Sequence, residues 1–103
     1  MSTHIRLNSL ERFLQEMDAL IAEMNDPAAK SSAQLIVNLL RRNYNLIDGE
    51  KRPVHIRKSN LDRALRDKEY LVAEMADPVE KDAAQLVINL IRRKYGLLKE
   101  EAK

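Results

Sequence analysis

Asp26-Pro27-Ala28-Ala29-Lys30-Ser31-Ser32-Ala33-Gln34-Leu35-Ile36-Val37-Asn38-Leu39-Leu40-Arg41-Arg42-Asn43-Tyr44 returns 51 residues later as Asp77-Pro78-Val79-Glu80-Lys81-Asp82-Ala83-Ala84-Gln85-Leu86-Val87-Ile88-Asn89-Leu90-Ile91-Arg92-Arg93-Lys94-Tyr95. Each stretch reads as one helix. An aspartate can accept the orphan amides of a first turn, and a proline at the first helical position loses no hydrogen bond. Asn45 and Gly96 follow, the two residue types that best tolerate the left-handed conformation closing a helix, with Leu46 and Leu97 placed for the accompanying apolar contact. Ala33, Leu35, Ile36, Val37, Leu39, Leu40 and Tyr44 spread over about 200° of the helix, more than one neighbour can cover. The economical arrangement packs the two copies of this helix against each other.

Working outward, the match extends from His4–Asp48 against His55–Lys99, where 22 of 45 ungapped positions are identical. A period of this length marks a repeated supersecondary unit. Upstream of each Asp-Pro, apolar residues at Leu10, Phe13, Leu14, Met17, Leu20, Ile21 and Met24 form a helical stripe. Asn8 with Glu11, and Ser59 with Asp62, have the spacing of a capping box. The expected fold is all-α: four helices as two tandem helical hairpins related by a pseudo-two-fold, bundle-like, as a fused homodimer would be. A single domain of 1–103 would then hold hairpin repeats at 4–48 and 55–99. Residues 49–54, polar and carrying Gly49 and Pro53, read as the linker.

The repeats diverge unevenly. Over Leu7–Ile21 four of fifteen positions are identical, and over Ala22–Leu46 fifteen of twenty-five, so the second helix tolerates less change. Its core positions exchange aliphatics, as cores do: Ile36 for Val87, Val37 for Ile88, Leu40 for Ile91. Five of its polar positions do not exchange. Lys30, Gln34, Asn38, Arg41 and Arg42 return as Lys81, Gln85, Asn89, Arg92 and Arg93 on one face. Asparagine inside a helix costs about 0.6 kcal/mol against alanine, which makes its double retention informative. Three explanations stand: a solvated face inherited from duplication, bonds from Gln34 and Asn38 that fix the register of a neighbouring hairpin, or a partner-binding surface whose arginine pairs take a carboxylate or phosphate. Lys68 joins the candidate surface. It replaces Met17 in the apolar stripe beside Ala64, the counterpart of Phe13, and either snorkels or faces an acidic partner.

Composition narrows the chemistry. Hydrophobic residues at 45% and charged residues at 33% describe a folding globular chain. The absence of cysteine removes disulfides, zinc-thiolate sites and thiol catalysis. His4 and His55 have no ligand type at the next helical turn, no Glu-x-x-His pattern exists, and two glycines cannot make a phosphate-cradling loop. No catalytic residues, cofactor or metal are expected. The longest aliphatic run, Leu35-Ile36-Val37, is far too short to span a bilayer, and the first residues lack a signal-peptide core, so the expected location is cytoplasmic. A net charge of +2 permits nucleic acid without demanding it.

Two functions follow. The first is a non-enzymatic interaction protein, a small helical adaptor, inhibitor or regulator, monomeric or homodimeric, binding a protein partner through the retained second-helix face. The second rests on the lead-ins Thr3-His4-Ile5-Arg6-Leu7 and Val54-His55-Ile56-Arg57-Lys58, which alternate like short strands. Strand, helix, turn, helix resembles the order of a ribbon-helix-helix unit. Two such units in one chain imply a single-chain DNA-binding regulator with His4, Arg6, His55 and Arg57 in the major groove. Against the resemblance, the first helix is about a turn too long, its turn lacks a glycine, and Lys58 would face the core.

Overall fold

The computed structural model describes residues 4–44 and 54–97. The element order is β1 (His4–Arg6), α1 (Leu7–Ala22), α2 (Pro27–Asn43), β2 (His55–Arg57), α3 (Lys58–Ala73) and α4 (Pro78–Lys94). The described chain is mostly helical, with four helices gathered into a compact globule. It is not purely α, because β1 and β2 pair as a two-stranded antiparallel sheet. Of the linker assigned to 49–54 only Val54 is described; residues 49–53, and the helix end assigned to Asn45 and Leu46, lie outside the described residues.

The Asp-Pro starts form as their chemistry dictates. Asp26 accepts from the amides of Ala28 (2.8 Å) and Ala29 (3.3 Å), and Asp77 from that of Val79 (2.8 Å), with proline opening each helix. The end of α4 closes on Gly96 at φ +68°, with Leu97 N–H donating to Arg92 O (2.7 Å) and Gly96 N–H to Arg93 O (3.3 Å). This six-to-one and five-to-two pattern is a Schellman motif, which needs a residue at ease with positive φ.

The capping boxes do not form as expected. Arg6 and Arg57 occupy the cap positions of α1 and α3, and neither side chain caps. The strands run straight into the helices, and Leu7 N–H donates to Val54 O across the sheet (2.8 Å), so the sheet satisfies the first amide of α1. Asp62, cast as a reciprocal cap, instead pairs with Arg92 and Arg66.

The core runs along the contact between α2 and α4, the most extensive in the molecule, with α1 packed on α2 and α3 on α4. Ala33, Ile36, Val37 and Leu40 of α2 and Ala84, Val87, Ile88 and Ile91 of α4 are buried there. Leu10, Leu14, Met17 and Ile21 from α1, and Leu61, Ala64, Leu65 and Val72 from α3, close it from outside. Buried Ser32 donates to Glu80 O (2.7 Å), a bond from α2 to the first turn of α4. The apolar arcs are only partly consumed: Leu20 and Leu35 stay exposed, and so do their counterparts Leu71 and Leu86. No helix among the described residues is long and apolar enough to cross a membrane.

Candidate nucleic-acid interface

Alternation in a strand sends successive side chains to opposite faces, and the two His-Ile-Arg tripeptides use this identically. Ile5 and Ile56 point into the core, and His4, Arg6, His55 and Arg57 are exposed on the other face. The register sets His4 opposite Arg57, Ile5 opposite Ile56 and Arg6 opposite His55. All four polar side chains therefore share one small outward surface, on which the two imidazoles meet edge-on with ring centroids 6.4 Å apart. Neither Arg6 nor Arg57 has an ion pair among the described residues, so both guanidinium groups present their donors outward.

Two tyrosines anchor the flanks of this surface. Tyr44, at the end of α2, donates to Asn60 Oδ1 at the start of α3 (2.6 Å), and Tyr95, at the end of α4, shares a 3.2 Å hydrogen bond with Ser9 Oγ on α1. Each bond runs from the second helix of one repeat to the first helix of the other, immediately behind the ribbon. Burial pushes the Tyr44 phenol up to about 12 and raises Tyr95 as well, so both hydroxyls keep their protons at neutral pH. Beside Tyr95, a cleft bordered by His4, Arg6, Lys58 and Lys94 adds two lysines to the ribbon's edge. Lys58 is half-buried rather than a core residue, which removes one objection drawn from the sequence; α1 at sixteen residues keeps its length. The sequence reading missed the two latches. Their signal was a tyrosine kept in both repeats, matched by a hydrogen-bonding residue at the equivalent positions Ser9 and Asn60.

The other candidate surface divides. Gln34 Nε2 donates to Asp18 Oδ1 (3.0 Å) and Asn38 Oδ1 (3.1 Å), while Arg41 grips Asp18 through both terminal nitrogens. The second repeat builds the same clip: Gln85 Nε2 donates to Glu69 Oε2 (3.0 Å) and Asn89 Oδ1 (3.1 Å), and buried Arg92 pairs with Glu69 (3.0 Å) and Asp62. These bonds tie the two helices within each hairpin, rather than one hairpin to its neighbour. They give Gln34, Asn38, Arg41, Gln85, Asn89 and Arg92 a structural duty. Lys30, Arg42, Lys81 and Arg93 remain exposed, and Lys68 is half-buried in the α3 stripe.

Burial alone would raise the Asp18 carboxyl, but hydrogen bonds from Arg41 and Gln34, and the Arg41 charge, outweigh it and hold Asp18 below its usual range. A carboxyl lowered on folding stabilises the protein above its unfolded value and loses that contribution as pH falls through the folded one. With the Asp18 side chain 37% exposed, solvent screening leaves about 0.5–1 kcal/mol. Asp18→Asn should lower the urea midpoint at pH 7 and flatten its decline below about pH 4. Parallel pH profiles for the two proteins would show that the clip contributes nothing.

Comparison with known proteins supplies no shortcut. No family model, curated protein or solved structure matches this chain.

Proposed function

We propose that this chain is a non-enzymatic, single-chain DNA-binding regulator that reads the major groove with the outer face of its β1–β2 ribbon. In this reading the two tandem hairpins are related by a pseudo-two-fold passing between Ile5 and Ile56, which makes the chain equivalent to a fused dimer of ribbon-helix-helix-like units. The observation that carries it is the pairing of two identical His-Ile-Arg strands, in register and antiparallel, with both isoleucines inward and both arginines outward and without an ion pair among the described residues. A three-residue strand is about 10 Å long, and a two-stranded ribbon fits a major groove about 12 Å wide. Arginine suits this position because its planar fork of donors matches O6 and N7 of guanine. The intrahairpin duties of Gln34, Arg41, Gln85 and Arg92 are the reason for preferring the ribbon over the second-helix face as the binding surface.

Two antiparallel copies of one tripeptide meet the duplex in opposite directions, so the favoured target is a short inverted repeat with guanine in each half. Selection of bound duplexes from a randomised pool tests this at near-physiological salt. Enrichment of such an inverted repeat, with affinity falling steeply as salt rises, is the expected outcome. Recovery of no enriched duplex would remove the proposal.

A further inference from the structure

The two edges of the ribbon are built alike but charged differently. Each borders a cleft that includes one tyrosine latch, Tyr95 beside β1 and Tyr44 beside β2. The β1 cleft, about 470 Å³, gathers the basic side chains of His4, Arg6, Lys58 and Lys94 and no acidic one. The β2 cleft has Arg57 as its one cation among the described residues, with Asn43 and Asn60. Position by position, Lys58 stands where the first repeat has Leu7, and Lys94 where it has Asn43. Leu7 is 1% exposed, whereas Lys58 is only half-buried, since a lysine there must run its stem along apolar neighbours and keep its ammonium in water. Lys94 is seated over the Phe13 ring at 5.4 Å, and Phe13 in turn meets Tyr95 edge-on. Phe13 gives way to Ala64 in the second repeat, so the β2 edge lacks both the lysine and its aromatic seat. Neither Lys58 nor Lys94 has an ion pair among the described residues. Glu16, whose charge is felt at Tyr95, lines the neighbouring α1 groove and not this cleft.

From this we infer that the β1 edge is a one-sided clamp for DNA phosphate: Lys58 and Lys94 hold the sugar-phosphate wall on that side of the major groove, and the β2 edge has no equivalent grip. The inference rests on the ribbon reading above. Two strands about 4.8 Å apart in a groove about 12 Å wide set each edge of the ribbon against one wall. Lysine is a compact charge on a flexible stem, suited to a phosphate rather than to the donor and acceptor pattern of a base. The arginines that read bases are duplicated, whereas the charge that anchors the ribbon is delivered once. On a perfect inverted repeat the molecule therefore has two equivalent orientations, with the clamp on one DNA strand or on the other.

The test is binding of the selected inverted repeat by the full chain, with uncharged methylphosphonate linkages beside the central base pairs on one strand, on the other, or on both. Neutralising either strand alone should cost no more than about twofold, because the molecule turns round and clamps the intact strand. Neutralising both should cost roughly tenfold or more. Lys58→Leu with Lys94→Asn copies the β2 edge onto the β1 edge, and this double variant should bind all four duplexes nearly alike. Its slope of log affinity against log salt should be smaller than wild type's by about 1.8, at about 0.9 for each lost phosphate contact. Unchanged circular dichroism melts establish that it folds, and Lys94→Asn alone, at an exposed position, should give about half the change in slope. A separate cost for each strand, multiplied when both are neutralised, would show that both edges grip and overturns the clamp while leaving the ribbon reading intact. A double variant with wild type's salt slope overturns it in the same way, as does a wild type indifferent to neutralisation of both strands. Failure to bind the unmodified repeat removes the ribbon reading itself, and the clamp with it.

Discussion

Alanine at both Arg6 and Arg57 is expected to weaken binding to the selected inverted repeat by roughly 30-fold to 10⁴-fold, since each bidentate arginine–guanine contact contributes about 1–3 kcal/mol. The two residues hold the same position in the two paired His-Ile-Arg strands, exposed and free of ion pairs among the described residues, so their removal leaves no buried group unsatisfied. Thermal stability should stay within about 0.5 kcal/mol of wild type. Each single variant should lose discrimination at the guanine of one half-site while keeping it at the other. Fluorescence anisotropy with duplexes altered in one half or the other reads this directly. Equal binding by wild type and the double variant would show that the ribbon does not read bases. A uniform loss across all duplexes would mean that the arginines touch phosphates only.

How much of this was legible from residues alone depends on whether the determining chemistry is local. The Asp-Pro starts and the Gly96 stop are local, since one aspartate, one proline and one glycine each settle a backbone problem within a turn. The contact between α2 and α4 was legible because an arc broader than one neighbour needs a second. The start of α1 was misread because the strand runs into the helix and the sheet supplies a partner for its first amide, Val54, which lies 47 positions away in the chain. The same distance hides the clips. Gln34, Asn38 and Arg41 advertised themselves by returning unchanged, but their acceptor changes from Asp18 to Glu69, so conserved charge rather than conserved identity marked the other half of the bond. The ribbon was visible as alternation within three residues, yet its meaning depends on the two tripeptides pairing with each other, and no local pattern states that.

The same dependence between repeats makes the core the second place where one substitution should have a large effect. Leu40 of α2 is fully buried, as is its counterpart Ile91 of α4. Leu40→Ala removes three carbons from a contact with little freedom to collapse and should cost about 2–5 kcal/mol. A domain of this size has about 5–15 kcal/mol in total, so the melting temperature should fall by roughly 10–30 °C. The urea midpoint should drop with an unchanged slope if unfolding stays two-state. The consequence for function is specific. β1 and β2 come from different repeats and meet only because the repeats are packed together, so the ribbon cannot outlast that packing. Affinity for DNA at low temperature should be nearly unchanged while the folded state dominates, then vanish at the variant's own melting temperature and not at wild type's. Adding Ile91→Ala should leave too little core for the ribbon to form at all. A loss below about 1 kcal/mol in the single variant would mean that this packing is loose, and the outward set of His4, Arg6, His55 and Arg57 would then have no rigid platform from which to read a groove.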